Sequence, residues 1–371
     1  MKLSKKLITS AFAFSLLSTV FADDLIIKGD VRLRSEIAIQ KDKDTRDRDR
    51  LRARVALTKK VNQSIDIGVA LISGGNDPIS GNQTMSGYGS SKGINLDLAF
   101  IQINSGYGLS LLAGKTKNPY KVSNKSELVW DGDYHPEGGS IQYAYEINAT
   151  ALDLRINQAW LSESKVEGSD LLQSGTQLNL THKMGDISIG AGASYISIHN
   201  EDYNQGLSGT PAFDDDSFGN SSITDAANQT IIATGMTLIN PYIEVAAKGS
   251  LPWTAYAEYV QNTEADELNK GFALGLSLGK AKKPMTMALK YIYKEVQKDA
   301  VYGTLTDSDF SGGGANGSGH ELGAKLALME NTFFGVSHFL NYKDAQPLLG
   351  EGDIGEGNLY NRTQIDLVVK F

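Results

Sequence analysis

Apolar and polar positions alternate with period two along most of the chain. From Asp30 to Ile39, Val31, Leu33, Ser35, Ile37 and Ile39 fall on one face, and Arg32, Arg34 and Glu36 on the other. In 271–280, Phe272, Leu274, Leu276 and Leu278 alternate with Gly271, Ala273, Gly275, Ser277 and Gly279. Residues 285–294 and 321–329 repeat the pattern. So does the last stretch, where Ile365, Leu367, Val369 and Phe371 oppose Gln364, Asp366 and Lys370. The stretch 94–103 is less regular, with Ile94, Leu96, Leu98 and Phe100 opposing Asn95, Asp97, Ala99 and Ile101. Such alternation marks strands buried on one face. It predicts strands near 24–38, 46–61, 64–73, 93–104, 108–115, 138–147, 150–161, 172–183, 186–199, one within 226–248, 252–262, 270–280, 284–297, 319–329, 332–343 and 362–371. Asn240-Pro241 divides 226–248 into two strand-like pieces. Counting both breaks the even parity that a closed bacterial barrel needs. One piece is therefore assigned to a loop, giving about 16 strands, with 18 as the alternative.

A soluble sandwich would also alternate, but two features favour an all-β transmembrane antiparallel β-barrel. The polar face is either tiny, as at Gly275, Ser277 and Gly279, or charged in long rows. Connections also alternate between short ones, near 61–63, 105–108, 183–186 and 330–331, and long ones, near 74–92, 116–137, 200–226, 298–318 and 344–361. Short periplasmic turns and long external loops have this arrangement. At about sixteen strands side chains cannot fill the interior, so an aqueous channel is expected.

Residues 1–22 read as a secretory signal peptide: Lys2, Lys5 and Lys6, then an apolar stretch from Leu7 to Phe21, then cleavage between Ala22 and Asp23. The remaining 23–371 would form one barrel domain. No Cys follows the cleavage site, which excludes a lipid-anchored lipoprotein, and the chain has no Cys anywhere. Disulfides, thiolate metal sites and Cys nucleophiles are thereby excluded. No later stretch is long and apolar enough for a membrane-spanning helix. The whole chain of 371 residues has net charge −8, and losing the three leader lysines leaves 32 basic against 43 acidic residues, or −11. That balance argues against nucleic acid as a partner.

The most specific local feature is 46–54, where Arg46, Arg48, Arg50, Arg52 and Arg54 recur at every second position. On a strand they stack on one face at intervals of about 6.6 Å. Arg32 and Arg34 sit similarly on the preceding strand. Arginine facing lipid costs up to about 2–4 kcal/mol near the midplane, so the ladder must face the lumen or rise outside the membrane. It is either a solvated wall balanced by neighbours such as Glu36 or a positive strip that attracts anions and orients dipolar solutes. The segment 116–137 is the second constellation. It places Glu127, Asp131, Asp133 and Glu137 beside apolar Leu128, Val129 and Trp130. Such an apolar centre predicts a loop that folds inward and narrows the pore, with its acids facing the arginine wall. An ordinary surface loop with a packed Trp is the alternative.

Other chemistry is thin. Asp214, Asp215, Asp216, Asp307 and Asp309 match no EF-hand spacing and read as solvated external loops. Gly312-Gly313-Gly314 lacks the GK[ST] of a phosphate loop. His135, His182, His199, His320 and His338 are the available histidines, and neither G-x-S-x-G nor H-E-x-x-H occurs. His320 and His338, on or beside late strands, would be the bases of a barrel hydrolase, but solvated or girdle histidines fit better. No catalytic residue, metal or cofactor is expected. Phe371, with Val369 and Leu367 at alternate positions, looks like the recognition signal of the barrel assembly machinery.

Four stretches resemble the bacterial family called putative porins, sixteen-stranded barrels of the outer membrane. They are 49–54; Ala113-Gly114-Lys115 with Asn118-Pro119 and 128–138; Asp299-Ala300-Val301 with 307–314; and 319–324. The family usually has Arg where Lys115 stands, and often Thr-Asn at 315–316, where this chain has Ala-Asn. The resemblance implies pore formation without a stated substrate, for ions and small hydrophilic solutes in the outer membrane of a Gram-negative bacterium. The expected partners are outer-membrane lipids, the barrel assembly machinery and two further copies in a homotrimer. A lipase- or protease-type barrel enzyme and a secreted β-rich adhesin are the alternatives.

Overall fold

The computed structural model describes residues 25–165, 169–200, 207, 212–343 and 358–371. The expected cleavage site at Ala22 and Asp23 lies outside the described residues, as does most of the expected connection 344–361. Sixteen strands form the wall: β1 Leu25–Gln40, β2 Arg46–Lys60, β3 Ile65–Ser73, β4 Ile94–Asn104, β5 Leu109–Lys115, β6 Glu137–Ile147, β7 Thr150–Ser162, β8 Leu171–Met184, β9 Ile187–Asn200, β10 Met236–Ala247, β11 Trp253–Asn262, β12 Lys270–Gly279, β13 Met287–Val296, β14 Gly317–Met329, β15 Thr332–Lys343 and β16 Asn358–Lys370. Each pairs antiparallel with its sequence neighbours, and β16 pairs with β1 from Asp30↔Lys370 to Gln40↔Tyr360. The sheet is therefore closed and every strand edge is paired.

Alternation decides which face is which. On β1, Val31, Leu33, Ile37 and Ile39 are exposed on the outer wall, whereas Asp30, Arg34 and Glu36 are buried inside. Leu274, Leu276, Met287, Leu289, Leu322, Ile365 and Leu367 are likewise exposed outside. Gly275 lies inward because the Tyr256 ring occupies the place a Cβ would need. The irregular pattern of 94–103 has a local cause. The β3–β4 register shifts between the pairs Ala70↔Leu98 and Leu71↔Leu96. This bulge leaves Ile94 and Leu96 exposed at one end and Ile101 and Ile103 at the other, while Leu98 is buried. Phe100 lies inward, its ring where a Cβ on Gly68 would stand.

The region 226–248 departs from the expected division. β10 runs straight through Asn240-Pro241 instead of stopping there. Pro241 has no N–H for the ladder, and the β10–β11 register skips from Ile239↔Gln261 to Tyr242↔Glu258. The Asn240 side chain fills the gap, donating to the Tyr259 carbonyl at 2.8 Å and to Glu258 at 3.0 Å. Thr230–Ile232 pairs instead with Ser222–Thr224 in a small hairpin.

Asn240→Ala would leave that carbonyl and carboxylate without their donor. It should cost about 1–3 kcal/mol, seen as a lowered urea midpoint of the barrel in lipid vesicles. An unchanged midpoint would show that the side chain does not substitute for the missing N–H.

Candidate functional site

Barrel closure and register set the inner wall. Across β1 and β2, Arg34 stands opposite Arg50, Arg32 opposite Arg52, Glu36 opposite Arg48 and Asp30 opposite Arg54. Like charges directly opposite repel, so two cross-strand Arg–Arg pairs need compensation. β16 supplies part of it. Asp366, opposite Arg34, accepts two hydrogen bonds from its guanidinium at 2.7 and 2.9 Å. Glu36 accepts from Arg48 at 2.6 Å and from Gln364 at 3.0 Å. Asp30 binds Arg52 at 3.1 Å and Arg54 at 2.8 Å. Arg46 is exposed at the start of β2. Arg362 of β16 extends the ladder and has no period-two neighbours to announce it in the sequence.

The rest of the compensation comes from two connections inside the barrel. Segment 116–136 crosses the lumen from the β5–β6 side. At one end Asp133 binds Arg52 and Arg54, both at 3.2 Å. Elsewhere the Lys121 N–H donates to Gln177 on β8 at 2.7 Å, and Asn124 donates to Ser277 on β12 at 2.7 Å. Ser126 hydrogen-bonds Glu258 on β11. Leu128, Val129 and Trp130 are buried, and the Trp130 ring stacks between Tyr120 and Tyr134 with centroids 5.8 and 5.3 Å apart. The inward fold expected of this segment is present, but its residues do different things. Trp130 is packed in the loop's own core, so it does not present its ring to a solute. Asp131 is buried. Glu137 begins β6 and binds Lys115 at 2.8 Å. Glu127 is half-buried and accepts from the Gly132 N–H at 3.0 Å. Asp133 alone among these acids touches the arginine wall, in direct contact and not across a gap.

The second connection, 297–316, was expected outside and is not. Asp307 is buried and binds Lys294 at 2.5 Å, itself only 1% exposed. Asp309 receives Arg34 at 3.3 Å and Arg362 at 2.7 Å. Burial alone would raise the Asp309 carboxyl, but Arg34 and Arg362 hold it far below the usual carboxylate range. The ladder needs the anions, so these aspartates are drawn into the lumen instead of being solvated. Asp214 and Asp216 stay in the connection before the small hairpin, and nothing is described of the Asp215 side chain. The two inward segments are bolted together. Asp131 donates its N–H to the Leu305 carbonyl at 2.9 Å, and its carboxylate accepts the Ser308 N–H at 2.9 Å. Burial, and then the neighbouring Asp307 carboxylate, push the Asp131 carboxyl up to about 7.

Open space remains beside the ladder. One cavity of about 650 Å³ is lined by Lys28, Asp30, Arg54, Lys117 and Glu127. A second, of about 420 Å³, is lined by Asn76, Asp77, Asn95, Lys115 and Asp133. Asp97 and His135 line both, with His135 Nδ1 2.7 Å from Asp97. Sequence reasoning passed over this pair, although alternation already set Asp97 opposite outward Ile94 and Leu96. The remaining histidines stand elsewhere. His320 meets Tyr291 and His338 meets Thr363, both at 2.9 Å, and His182 meets Thr150 at 2.9 Å. Among the described residues no cluster of His, Asp and Glu is placed to hold a metal ion, and no helix is long and apolar enough to cross a membrane.

A closed sixteen-stranded wall, apolar outside, with charged side chains and two folded connections inside, defines an outer-membrane channel barrel. The putative porin family matches residues 24–168 and 215–371, and the chain belongs to it. The fold is similar to that of Salmonella typhi OmpF in complex with daunomycin, with TM-score 0.54 and 10% identity over 94% of this chain and 97% of that one. It is also similar to Vibrio cholerae OmpT, an outer membrane protein. The loop L8 deletion mutant matches with TM-score 0.50 and 13% identity, and the in-vitro folded trimer form with TM-score 0.50 and 14% identity. Each covers 94% of this chain and 100% of the other. Among curated proteins none matches the chain in sequence.

Trp130→Ala should cost the inward segment about 3–5 kcal/mol of packing and enlarge the single-channel conductance. Unchanged conductance would show that the stack does not hold the segment in the lumen. The raised Asp131 carboxyl adds a pH dependence. The docked segment keeps this proton more tightly than the free chain does, so its contribution is complete below about pH 4 and is lost as pH rises through about 7. Current noise should therefore grow between about pH 6 and pH 8, and Asp131→Asn should flatten that dependence. Equally quiet traces at both pH values would contradict the bolt.

Proposed function

We propose that the chain is exported by its leader (residues 1–22, with cleavage between Ala22 and Asp23). The barrel assembly machinery then inserts it through the terminal signal of Leu367, Val369 and Phe371. In outer-membrane lipid it works as a homotrimer through which ions and small hydrophilic solutes diffuse passively, and it has no catalytic step. The observation that carries this reading is the charged lumen: a wall of Arg32, Arg34, Arg48, Arg50, Arg52, Arg54 and Arg362, beside open cavities and narrowed by 116–136 and 297–316. Charged and polar walls solvate ions, while their fixed positive charge favours anions and orients dipoles. The trimer form reported for Vibrio cholerae OmpT supports the assembly. The partners of His320 and His338 are the hydroxyls of Tyr291 and Thr363. Neither resembles the acid that orients a hydrolytic base, which favours transport over the enzymatic alternative.

Refolded protein in planar bilayers should show stepwise conductance, and a silent bilayer would refute the channel. Arg50, Arg52 and Arg54 replaced together by Ala should move the reversal potential in a salt gradient toward cations. The local charge falls by three, and Asp30 and Asp133 are left without the arginines that neutralise them. An unchanged reversal potential would remove the ladder from the conduction path.

A further inference from the structure

The arginines of the lumen are mostly committed to acids, and a group of lysines is not. Arg34, Arg48, Arg52, Arg54 and Arg362 each hold a carboxylate at 3.3 Å or closer. Lys28, Lys117, Lys125 and Lys370 line the cavity of about 650 Å³ and are exposed. They make no ion pair among the described residues, unlike Lys115, Lys290 and Lys294. The acids that line the same cavity are engaged elsewhere. Asp30 stands opposite Lys370 in register, but its carboxylate is taken by Arg52 at 3.1 Å and Arg54 at 2.8 Å. Asp97 meets His135 at 2.7 Å, Glu127 accepts the Gly132 N–H at 3.0 Å, and Asp131 accepts the Ser308 N–H at 2.9 Å. Lys28 and Lys370 come from the adjacent strands β1 and β16, at the end of the barrel that carries the short turns. Lys117 and Lys125 come from the crossing segment. Lys325 of β14 adjoins the group: its amine is 4.2 Å from the centroid of the Phe333 ring, and that of Lys370 is 5.5 Å from the same ring.

We propose that this cavity is a binding site for small multivalent oxyanions, of which inorganic phosphate is the simplest. The inference rests on the channel reading above and names a class of solute for it. A concave space lined by one sign of charge focuses potential and raises the local concentration of counter-ions. An ammonium group is a compact charge with three rotatable donors, so it can follow an oxyanion of any orientation. A monovalent ion gains from one such group at a time. An anion with several charged oxygens gains from lysines of the wall and of the crossing segment together. The volume is ample for a solute of that size with part of its water. The arginine ladder is less suited to this role, because Asp30, Asp133, Asp309 and Asp366 already occupy most of its guanidinium groups.

The test uses the refolded full-length protein in planar bilayers in potassium chloride, with inorganic phosphate or pyrophosphate added. The single-channel current should fall as phosphate is added, and at several-fold lower concentration with pyrophosphate. Lys28→Gln with Lys370→Gln, and separately Lys117→Gln with Lys125→Gln, should each raise the half-blocking concentration several-fold. Lys41→Gln with Lys43→Gln removes the same charge from the exposed connection between β1 and β2 and should leave that concentration where it was. Each variant is checked for heat-modifiable mobility. A second measurement needs no variant to fold: in the unaltered protein, phosphate should slow acylation of Lys28, Lys117, Lys125 and Lys370 by an amine reagent, read by mass spectrometry, and not that of Lys41 and Lys43. A conducting channel that neither anion blocks, or whose four lysines phosphate does not protect, overturns the site and leaves the channel intact. So does block that survives both lysine replacements, or that weakens equally in the control. A silent bilayer overturns the channel reading, and this inference with it.

Discussion

Lipid offers no hydrogen bonds, so every peptide group of a membrane-spanning strand must find its partner in another strand. Sixteen strands meet that constraint only when the last returns to the first. The β16–β1 ladder is therefore the contact on which the rest depends. It also builds the site. Closing the ring brings Asp366 and Gln364 beside Arg34 and Glu36, across more than three hundred residues of chain. Arg362 reaches the same patch through the same register. The positive wall is thus a product of closure, and neither end of the chain carries it alone.

The wall in turn dictates the interior. Guanidinium groups stacked on adjacent strands repel, and a pore partly filled with protein screens them less than bulk water does. Asp133 from one connection and Asp309 from another supply charge where the strands cannot. Each aspartate is held at the end of a segment with its own apolar packing: the Tyr120–Trp130–Tyr134 stack in one, and Val301, Leu305 and Phe310 in the other. Packing orders each segment, and the ion pairs then locate it against the wall. Both are needed, since an exposed ion pair contributes little by itself, while an apolar loop without a charged tip has no preferred place to dock.

Much of this was legible in the period-two pattern. Strand number, barrel closure and the inward direction of the arginines all follow from alternation together with the cost of charge in lipid. Alternation failed where the backbone departed from the pleat. The bulge on β4 turned Leu98 and Phe100 inward and Ile101 outward, against the faces that alternation from Ile94 and Leu96 had set. Pro241 looked like a strand terminator because the Asn240 side chain that compensates for it cannot be foreseen from composition. The largest omission was 297–316. Its run of Gly and Asp has the composition of a solvated loop, and the reason it lies inside is an unpaired demand for anions on strands far away in sequence. Non-local electrostatics leave no local signature.

Composition also misleads about the charge inside the barrel. The chain is acidic overall, yet the ion pairs around Arg34 and Arg52 set Arg32, Arg34, Arg48, Arg50, Arg52, Arg54 and Arg362 beside Asp30, Glu36, Asp133, Asp309 and Asp366. Arg32 makes its hydrogen bond to the neutral Asn82 side chain at 2.5 Å, and the nearest carboxylate to Arg50 is Glu36 at 4.0 Å. Neither of these two arginines is held in a close ion pair. The Debye length in physiological salt is about 8 Å, so acids on outer loops farther away than that are largely screened from an ion in the lumen. The potential beside this wall is set by the balance on β16, β1 and β2, where arginine outnumbers acid, and not by the sum over the chain.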